Sequence, residues 1–195
     1  VEDPSTNHWI LVDAGLATSA SRIRHAVQER YGAHARPAAI LLTHGHFDHV
    51  GAVRTLADEW DVTVYAHRLE LPFLSGRSDY PPPDPSVGGG WMARMSWVFS
   101  RKGIDLGDRL RVFPEDGSVP GMAEWRWIHT PGHSPGHVSL FRQFDRTLIA
   151  GDAFVTVRQE SLVAVLAQTL EINGPPAYFT IDWVAARESV RALMR

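Results

Sequence analysis

One short stretch of the chain concentrates residue types that bind metal ions. Residues 43–50 read Thr-His-Gly-His-Phe-Asp-His-Val and directly follow the apolar run of residues 38–42. The candidate ligands in this stretch are His44, His46, Asp48 and His49. Imidazole and carboxylate groups suit zinc, iron or manganese, and grouping them at the end of a buried strand costs solvation free energy unless a cation compensates. The spacing therefore predicts a metal site.

The second half of the chain supplies further ligands of the same chemical type. After the apolar residues 125–128, residues 129–137 read His-Thr-Pro-Gly-His-Ser-Pro-Gly-His, and the apolar residues 148–150 lead into Gly151 and Asp152. Each group follows a short apolar run, so it is expected on a loop at the end of a strand, where sites built on a rigid sheet are found. We therefore expect the three loops to meet in one site.

These signatures together resemble the metallo-β-lactamase superfamily of metallohydrolases. The similarity is carried by residues 43–49, 131–137 and 151–152, preceded by Asp13-Ala-Gly, which resembles the family's Asp-x-Gly at the end of a strand. It covers nearly the whole chain. It implies an α/β fold, an αββα sandwich in which two mixed β-sheets pack together and are flanked by helices.

The resemblance also implies how the ligands are shared. The family's positions fall on His44, His46 and His133 for a first metal, on Asp48 and His49 for a second, and on Asp152 as a bridge between them. The implied cofactor is one or two Zn²⁺ ions, with iron or manganese as alternatives. Asp48 is also the candidate catalytic residue, because its carboxylate would orient the attacking water.

Several residues near these signatures are candidates for supporting roles. We expect Asp13 and His137 to lie behind the ligands and to fix their orientation by hydrogen bonds, as ligating imidazoles commonly require. Phe154, Arg158 and Tyr178 follow the Gly-Asp loop and are candidate substrate contacts.

Length, composition and net charge limit the number of domains and the classes of partner. A length of 195 residues, with 44% hydrophobic and 21% charged residues, predicts one globular domain over residues 1–195. Compared with the family pattern, this chain is expected to lack an N-terminal hairpin and a late loop that carries one more ligand histidine. The net charge of -3 disfavours nucleic acid and anionic membrane as partners, which leaves a small-molecule substrate.

Membrane and redox signals are also missing from the sequence. No apolar run approaches the roughly 20 residues of a membrane span. The chain has no Cys, which removes disulfides, thiolate ligands and a cysteine nucleophile. These features fit a cytoplasmic protein.

The pattern of apolar residues changes along the chain. Strand signals at residues 8–12, 38–43 and 62–66 alternate with helix signals at residues 19–31 and 51–60, which predicts parallel strands. Short strands at residues 109–113, 125–129, 138–141 and 147–150 are predicted to be largely antiparallel, and a helix at residues 182–194 closes the chain.

The connection between the halves, residues 69–107, is the least regular part. Residues 80–90 are rich in Pro and Gly, which excludes a helix or a central strand. We interpret residues 69–107 as a lid that walls an active-site cleft. A connector packed on the surface is the alternative.

The predicted reaction is hydrolysis of an ester-like bond, such as a thioester, a lactone or a related acyl bond, by metal-bound hydroxide. A metal ion lowers the pKa of bound water from roughly 15.7 to about 7. Three alternatives stay open: a mononuclear iron oxidoreductase like the persulfide dioxygenases, a phosphodiesterase or nuclease, and a non-enzymatic metal-binding scaffold. β-Lactam hydrolysis does not follow from the family's name, because a fold does not determine a function.

Overall fold

The structure is a computed structural model that describes residues 1–3, 8–87, 91–157, 161–167 and 170–195. The strands are β1 (Glu2–Asp3), β2 (His8–Trp9), β3 (Leu11–Val12), β4 (Ile40–Leu41), β5 (Val64–Ala66), β6 (Leu110–Val112), β7 (Ser118–Val119), β8 (Met122–His129), β9 (Val138–Arg142) and β10 (Thr147–Ile149). The α-helices are α1 (Ala20–Tyr31), α2 (Phe47–Val50), α3 (Val53–Trp60), α4 (Leu71–Leu74), α5 (Trp91–Arg94), α6 (Leu162–Ala167) and α7 (Trp183–Leu193). Among the helices in these ranges, none combines the length and the apolar character that a membrane crossing requires.

The first half of the chain builds a parallel sheet in the order β3-β4-β5-β6. Ile40 of β4 pairs with Leu11 on one side and with Val64 on the other. The parallel pairing predicted for this half is therefore confirmed. One strand assigned to the antiparallel half was wrong: residues 109–113 contain β6, which runs parallel to β5. The long connection over residues 69–107 is the reason, because a crossover of a dozen or more residues can return the chain in the same direction.

The remaining strands of the second half form an antiparallel sheet in the order β10-β9-β8-β7. Arg142 of β9 pairs with Trp125 of β8 and with Thr147 of β10. A turn over residues 143–146 joins β9 to β10, and Arg146 at its end has φ 58°. The antiparallel prediction is confirmed for residues 125–129, 138–141 and 147–150.

Two predicted elements are divided in the structure. The strand predicted over residues 8–12 becomes β2, which pairs with β1, and β3, which pairs with β4. The helix predicted over residues 51–60 starts only at Val53. Before it, Gly51 donates to Gly15 O at 2.8 Å, and a Cβ on Gly51 would lie 2.2 Å from the nitrogen of Ala17. This close approach of two turns separates α2 from α3.

Side chains of β4 alternate between two cores, as successive residues of a strand must. Ile40 packs between the parallel sheet and the helices α1 and α3, together with Val27 and Leu56. Leu41 packs between the two sheets, together with Leu140 of β9. The order of layers on this side is therefore helix, sheet, sheet.

Helix α7 lies on the outer face of the antiparallel sheet. The residues of α7 and of that sheet that border one shared pocket are Ala192, Leu193, Ile128, Phe141 and Leu148. The αββα sandwich is thus confirmed. Over the described residues, one main sheet is parallel and the other is antiparallel.

Both sheets deliver their loops to the same edge. The parallel strands β3 and β4 end at Val12 and Leu41, and the loops that follow carry Asp13 and the histidines of residues 44–49. Val138, the first residue of β9, donates its N–H to Thr43 O at 2.9 Å. This hydrogen bond joins the two sheets where their loops meet.

Candidate metal centre

Three buried imidazoles meet at this shared edge. His44 Nε2 lies 3.0 Å from His46 Nδ1, which lies 2.9 Å from His133 Nε2. These side chains are almost completely enclosed by the protein. Burial holds the pKa of His44 and of His46 well below the ordinary histidine value, and it lowers the pKa of His133 to about 4. The three rings are therefore neutral at neutral pH, which is the protonation state of a metal ligand.

Hydrogen bonds behind His44 identify its free nitrogen. The hydroxyl of Thr43 donates to Asp13 Oδ2 at 2.8 Å, so it can only accept from His44 Nδ1, which lies 3.0 Å away. With its proton on Nδ1, His44 directs the lone pair of Nε2 towards His46 and His133. We call His44, His46 and His133 the first ligand set.

A second ligand set consists of His44, His49 and Asp152. His49 Nε2 lies 3.4 Å from Asp152 Oδ1, while Asp152 Oδ2 lies 3.4 Å from His133 Nε2. Asp152 of the second set thus also lies beside His133 of the first set, as a bridging ligand would.

Charge couples the members of the second set. Burial opposes protonation of His49, but Asp13 and then Asp152 outweigh it and hold the pKa of His49 well above the ordinary value. Burial would raise the pKa of Asp152, but the hydrogen bond and charge of His49, and then the charge of His133, hold it below the ordinary value. A metal must displace the proton of His49, because only neutral imidazole coordinates.

Asp48 lies at the margin of this arrangement. Its carboxylate Oδ2 is 3.9 Å from His49 Nε2, and the side chain is 46% exposed. Among the described residues, the two sets are the groups whose ligand atoms lie within 4.8 Å of one another, and Asp48 is in neither. The structure therefore brings together five of the six ligands expected from the sequence and leaves Asp48 beside them.

The donor atoms of the first set fit a cation. Nitrogens bound to one tetrahedral ion at about 2.0–2.1 Å lie roughly 3.3–3.4 Å apart, which is close to the observed 2.9 and 3.0 Å. Buried polar atoms need a partner, and converging neutral imidazole lone pairs cannot all satisfy one another. Imidazole and carboxylate donors without thiolate suit zinc, iron or manganese.

Asp13 lies directly behind the ligands. It accepts hydrogen bonds from Thr43 N at 2.8 Å, from Thr43 Oγ1 at 2.8 Å and from His49 Nδ1 at 2.9 Å. Its backbone has φ 54°, a left-handed conformation that Asp tolerates better than most residues. Ala14 next to it donates to His49 O at 2.7 Å. This turn therefore holds the main chain and the ring of His49.

His137 holds the loop of Asp152. Its Nε2 accepts from Asp152 N at 2.9 Å, and its Nδ1 lies 2.8 Å from Thr130 Oγ1 and 3.1 Å from Thr130 O. Burial first, and then the charge of His133, lowers the pKa of His137 to about 3. Gly151 has φ 55°, and a Cβ there would lie 2.6 Å from His137 Nε2. Both nitrogens of His137 thus face protein groups.

The ligands open into a cavity of about 520 Å³. Its lining residues are Leu16, His46, Phe47, Asp48, His49, Met92, Phe99, His133, Asp152, Pro176, Tyr178 and Phe179. Phe47 stacks on Phe99 with ring centroids 5.5 Å apart, and Phe179 lies 5.1 Å from the ring of His46. Of the predicted substrate contacts, Tyr178 lines this cavity, whereas Phe154 does not. Arg158 lies outside the described residues.

Sequence reasoning missed one residue in this region. Glu70 is fully buried and contacts both ligand loops. The available signal was its place four positions after β5, because the parallel strand ends at the edge that carries the ligands. A single Glu without a recognisable motif did not stand out in the sequence.

Comparisons with known proteins identify the family of the chain. A family model described as the metallo-beta-lactamase superfamily matches residues 1–195. The chain is 48% identical over 194 residues to "Probable metallo-hydrolase YflN" of Bacillus subtilis (strain 168), a match that spans 99% of this chain and 74% of that protein. It is 26% identical to "Hydroxyacylglutathione hydrolase GloC" of Haemophilus influenzae, over 58% of this chain and 48% of that protein.

A solved structure matches the chain over its whole length. TTHA1623, described in a di-iron-bound form, superposes with a TM-score of 0.65 and 28% identity, and the match covers 100% of this chain and 78% of that one. The family match and the structural match thus both cover the residues of the two ligand sets. The chain belongs to the metallo-beta-lactamase superfamily and is a metallo-hydrolase of that superfamily.

Proposed function

We propose that this chain hydrolyses an ester-like bond, such as a thioester, a lactone or a related acyl bond, at the two ligand sets. The observation that carries the proposal is that Asp152 of the second set also lies beside His133 of the first, and that residues of both sets line one cavity. A cation bound by these residues would lower the pKa of its water to about 7 and would act as a Lewis acid on a carbonyl oxygen. The chain contains no Cys nucleophile.

The side chains of the site have different proposed roles. His44, His46 and His133 would hold a first metal ion, and His49 with Asp152 would hold a second. Asp48 lines the cavity beside His49. In our proposal its carboxylate orients the attacking water and accepts its proton, which a positioned acid or base does at a gain of roughly 10²–10⁴-fold in rate.

The cavity wall indicates the substrate's non-reacting part. Phe47, Phe99, Phe179 and Met92 line it, and no Lys or Arg is among the described lining residues. Glutathione and phosphodiesters carry negative charge that a cationic group would ordinarily bind. We therefore propose an uncharged, apolar acyl substrate rather than the hydroxyacylglutathione in the name of GloC.

Residues 69–107 supply one wall of this cavity, through Met92 and Phe99. Long loops in compact domains are often functional. In our proposal this segment is the lid that encloses the apolar part of the substrate.

A matched substrate panel tests the proposed reaction. One aromatic acyl group would be presented as a phenyl ester, as a thioester of benzyl thiol and as a thioester of glutathione, beside a lactone and a phosphodiester. The protein would be loaded with Zn²⁺, Fe²⁺ or Mn²⁺, with His133→Ala and chelator-treated protein as controls. We expect hydrolysis of the neutral acyl compounds and slower hydrolysis of the glutathione thioester. Cleavage of the phosphodiester alone would contradict the proposal.

The oxidoreductase alternative has its own readout. Iron-loaded protein would be incubated with glutathione persulfide while oxygen uptake is recorded. We expect no metal-dependent oxygen uptake. Uptake that disappears in His133→Ala would favour the dioxygenase-like function instead.

A further inference from the structure

Glu70 is a fully buried carboxylate outside both ligand sets. It ends the 3₁₀ turn Arg68–Glu70, which follows β5. A buried carboxylate is tolerated only when hydrogen bonds or an opposite charge compensate for the lost solvation. Here the compensation comes from four hydrogen-bond donors, and the positions of those donors suggest why the carboxylate is there.

Each oxygen of Glu70 contacts a different ligand loop. Oε2 accepts from Gly45 N at 3.0 Å and from the hydroxyl of Tyr80. Oε1 accepts from Ser134 Oγ at 2.7 Å and from Gly136 N at 2.7 Å. Gly45 stands between the ligands His44 and His46, and Ser134 directly follows the ligand His133. One side chain thus joins the loop after β4 to the loop after β8.

The glycines in these loops fit the same explanation. Neither Gly45 nor Gly136 has a positive φ, so their backbone conformation does not itself require glycine. A Cβ on Gly45 would lie 2.5 Å from the hydroxyl oxygen of Tyr80, and a Cβ on Gly136 would lie 2.8 Å from Glu70 Cγ. Both loops therefore approach Glu70 and Tyr80 too closely for any side chain.

We propose that Glu70 is a positioning residue that holds the two loops at the separation at which His44, His46 and His133 reach one cation. The inference rests on the metal site of the proposed function and does not depend on which bond is cleaved. A carboxylate suits this role because all four of its partners donate. In an amide, one of the two oxygens is replaced by an N–H₂ group, which donates and cannot accept. Two of the four buried donors would then face another donor and would lose their hydrogen bond.

The test compares metal affinity in variants that keep the ligands. We expect Glu70→Gln to weaken binding of the first Zn²⁺ by about 10–100-fold, the usual effect of losing a hydrogen bond behind a ligand. Competition with a chromophoric chelator measures it. Tyr80→Phe keeps the ring beside His46 but removes the hydroxyl from Gly45 and Glu70, so a smaller loss in the same direction is expected. Hydrolysis by Glu70→Gln should recover when Zn²⁺ is saturating.

A stability control separates positioning from general support of the fold. Leu56→Ala opens a space in the helix-side core, away from the ligand loops. We expect it to lower the melting temperature of the metal-free protein and to leave the Zn²⁺ affinity unchanged. The proposal is overturned if Glu70→Gln also loses melting temperature but binds Zn²⁺ as tightly as the wild type.

Two further outcomes are decisive. If Glu70→Gln does not fold, Tyr80→Phe and Ser134→Ala decide the matter, because each removes one donor and leaves the carboxylate in place. Unchanged Zn²⁺ affinity in both variants overturns the positioning role. Wild-type protein that binds no Zn²⁺, Fe²⁺ or Mn²⁺ instead refutes the metal site of the proposed function, which is a separate failure.

Discussion

Three ligand residues of this site, His44, His49 and Asp152, are held by hydrogen bonds from behind. His44 is backed by the hydroxyl of Thr43, and His49 by the carboxylate of Asp13. The main chain of Asp152 is held by His137. Such partners fix the tautomer and the orientation of a ligand, and their loss commonly costs about 10–100-fold in metal affinity or activity. At the scale of single residues, the chemistry is therefore set by pairs rather than by isolated ligands.

Asp48→Ala separates catalysis from stability. The side chain is 46% exposed, so its removal should change the free energy of unfolding by no more than about 0.5 kcal/mol. Turnover with saturating metal should fall by roughly 10²–10⁴-fold, because the attacking water loses the group that orients it and accepts its proton. Steady-state kinetics and denaturant unfolding measure the two effects. Asp58→Ala, at an exposed position of α3, is the control, and wild-type turnover in Asp48→Ala would exclude the role.

His137 makes the stability of the metal-free protein depend on pH. Its pKa is about 3 in the folded protein and about 6.5 when unfolded. The unfolded state therefore takes up the proton first as the pH falls, and stability present above pH 6.5 or so is lost below it. Between about pH 7.5 and about pH 5, this group alone should remove about 2 kcal/mol.

The measurement compares wild type with His137→Gln, both in chelator, by denaturant unfolding at each pH. The variant is expected to be less stable overall but to lose about 2 kcal/mol less on acidification. His49 opposes this trend, since its raised pKa favours the folded state in acid, but it is present in both proteins. An identical pH dependence in the two proteins would contradict the assignment.

At the scale of elements, the site consists of loops and short turns that follow strand ends. Helix α2 has only four residues, and it places Asp48 and His49 on the cavity side of β4. The segment over residues 69–107 contributes Met92 and Phe99 to the lining of the same cavity. The ligands thus come from loops and turns at the ends of strands, and Met92 and Phe99 of the apolar wall come from the long connection between the halves.

Phe99→Ala should weaken the binding of substrates with a large apolar acyl group. Burying such a group against Phe is worth about 1.5–3 kcal/mol, so KM for an aromatic acyl ester should rise by about 10–100-fold. For an acetyl ester, both kcat and KM should change little. Phe144→Ala is the matched control, because Phe144 is 84% exposed on the β9–β10 turn. Equal effects of the two substitutions on KM would show that Phe99 does not determine the preference for large acyl groups.

At the scale of the whole molecule, the site exists because two sheets, built largely from different halves of the chain, bring their loops to the same edge. The parallel sheet carries His44, His46 and His49, and the antiparallel sheet carries His133 and Asp152. Neither sheet alone contains a complete ligand set. Metal binding should therefore couple the two halves and stabilise the folded state.

Titration of the metal-free protein with Zn²⁺ should show one tight equivalent and one weaker equivalent. The first set offers three neutral imidazoles with Asp152 nearby, whereas the second requires His49 to release its proton and has Asp48 only at its margin. Calorimetry measures both. His133→Ala should remove the tight equivalent, and His49→Ala should remove only the weaker one. Two equivalents of equal affinity would show that the second set is complete as it stands.

The sequence by itself determined the family, the layer architecture and the ligand types. Runs of apolar residues that end in His, Asp and Gly are local features, and they remain readable without coordinates because strand ends and loop chemistry depend on neighbouring residues. The direction of β6 could not be predicted from the sequence, since parallel or antiparallel pairing depends on where the long connection between Ala66 and Leu110 returns to the sheet.

Only the tertiary structure decided how the ligands are held. Gly45 and Gly136 were visible as parts of motifs, but the reason for a glycine at each position is a side chain that is distant along the chain. Glu70 acquires its role by reaching two loops from different sheets at once, and Tyr80 supports it by contacting Glu70 and one of those loops. Such contacts between distant segments leave no periodicity or spacing in the sequence, because they depend on how the sheets pack.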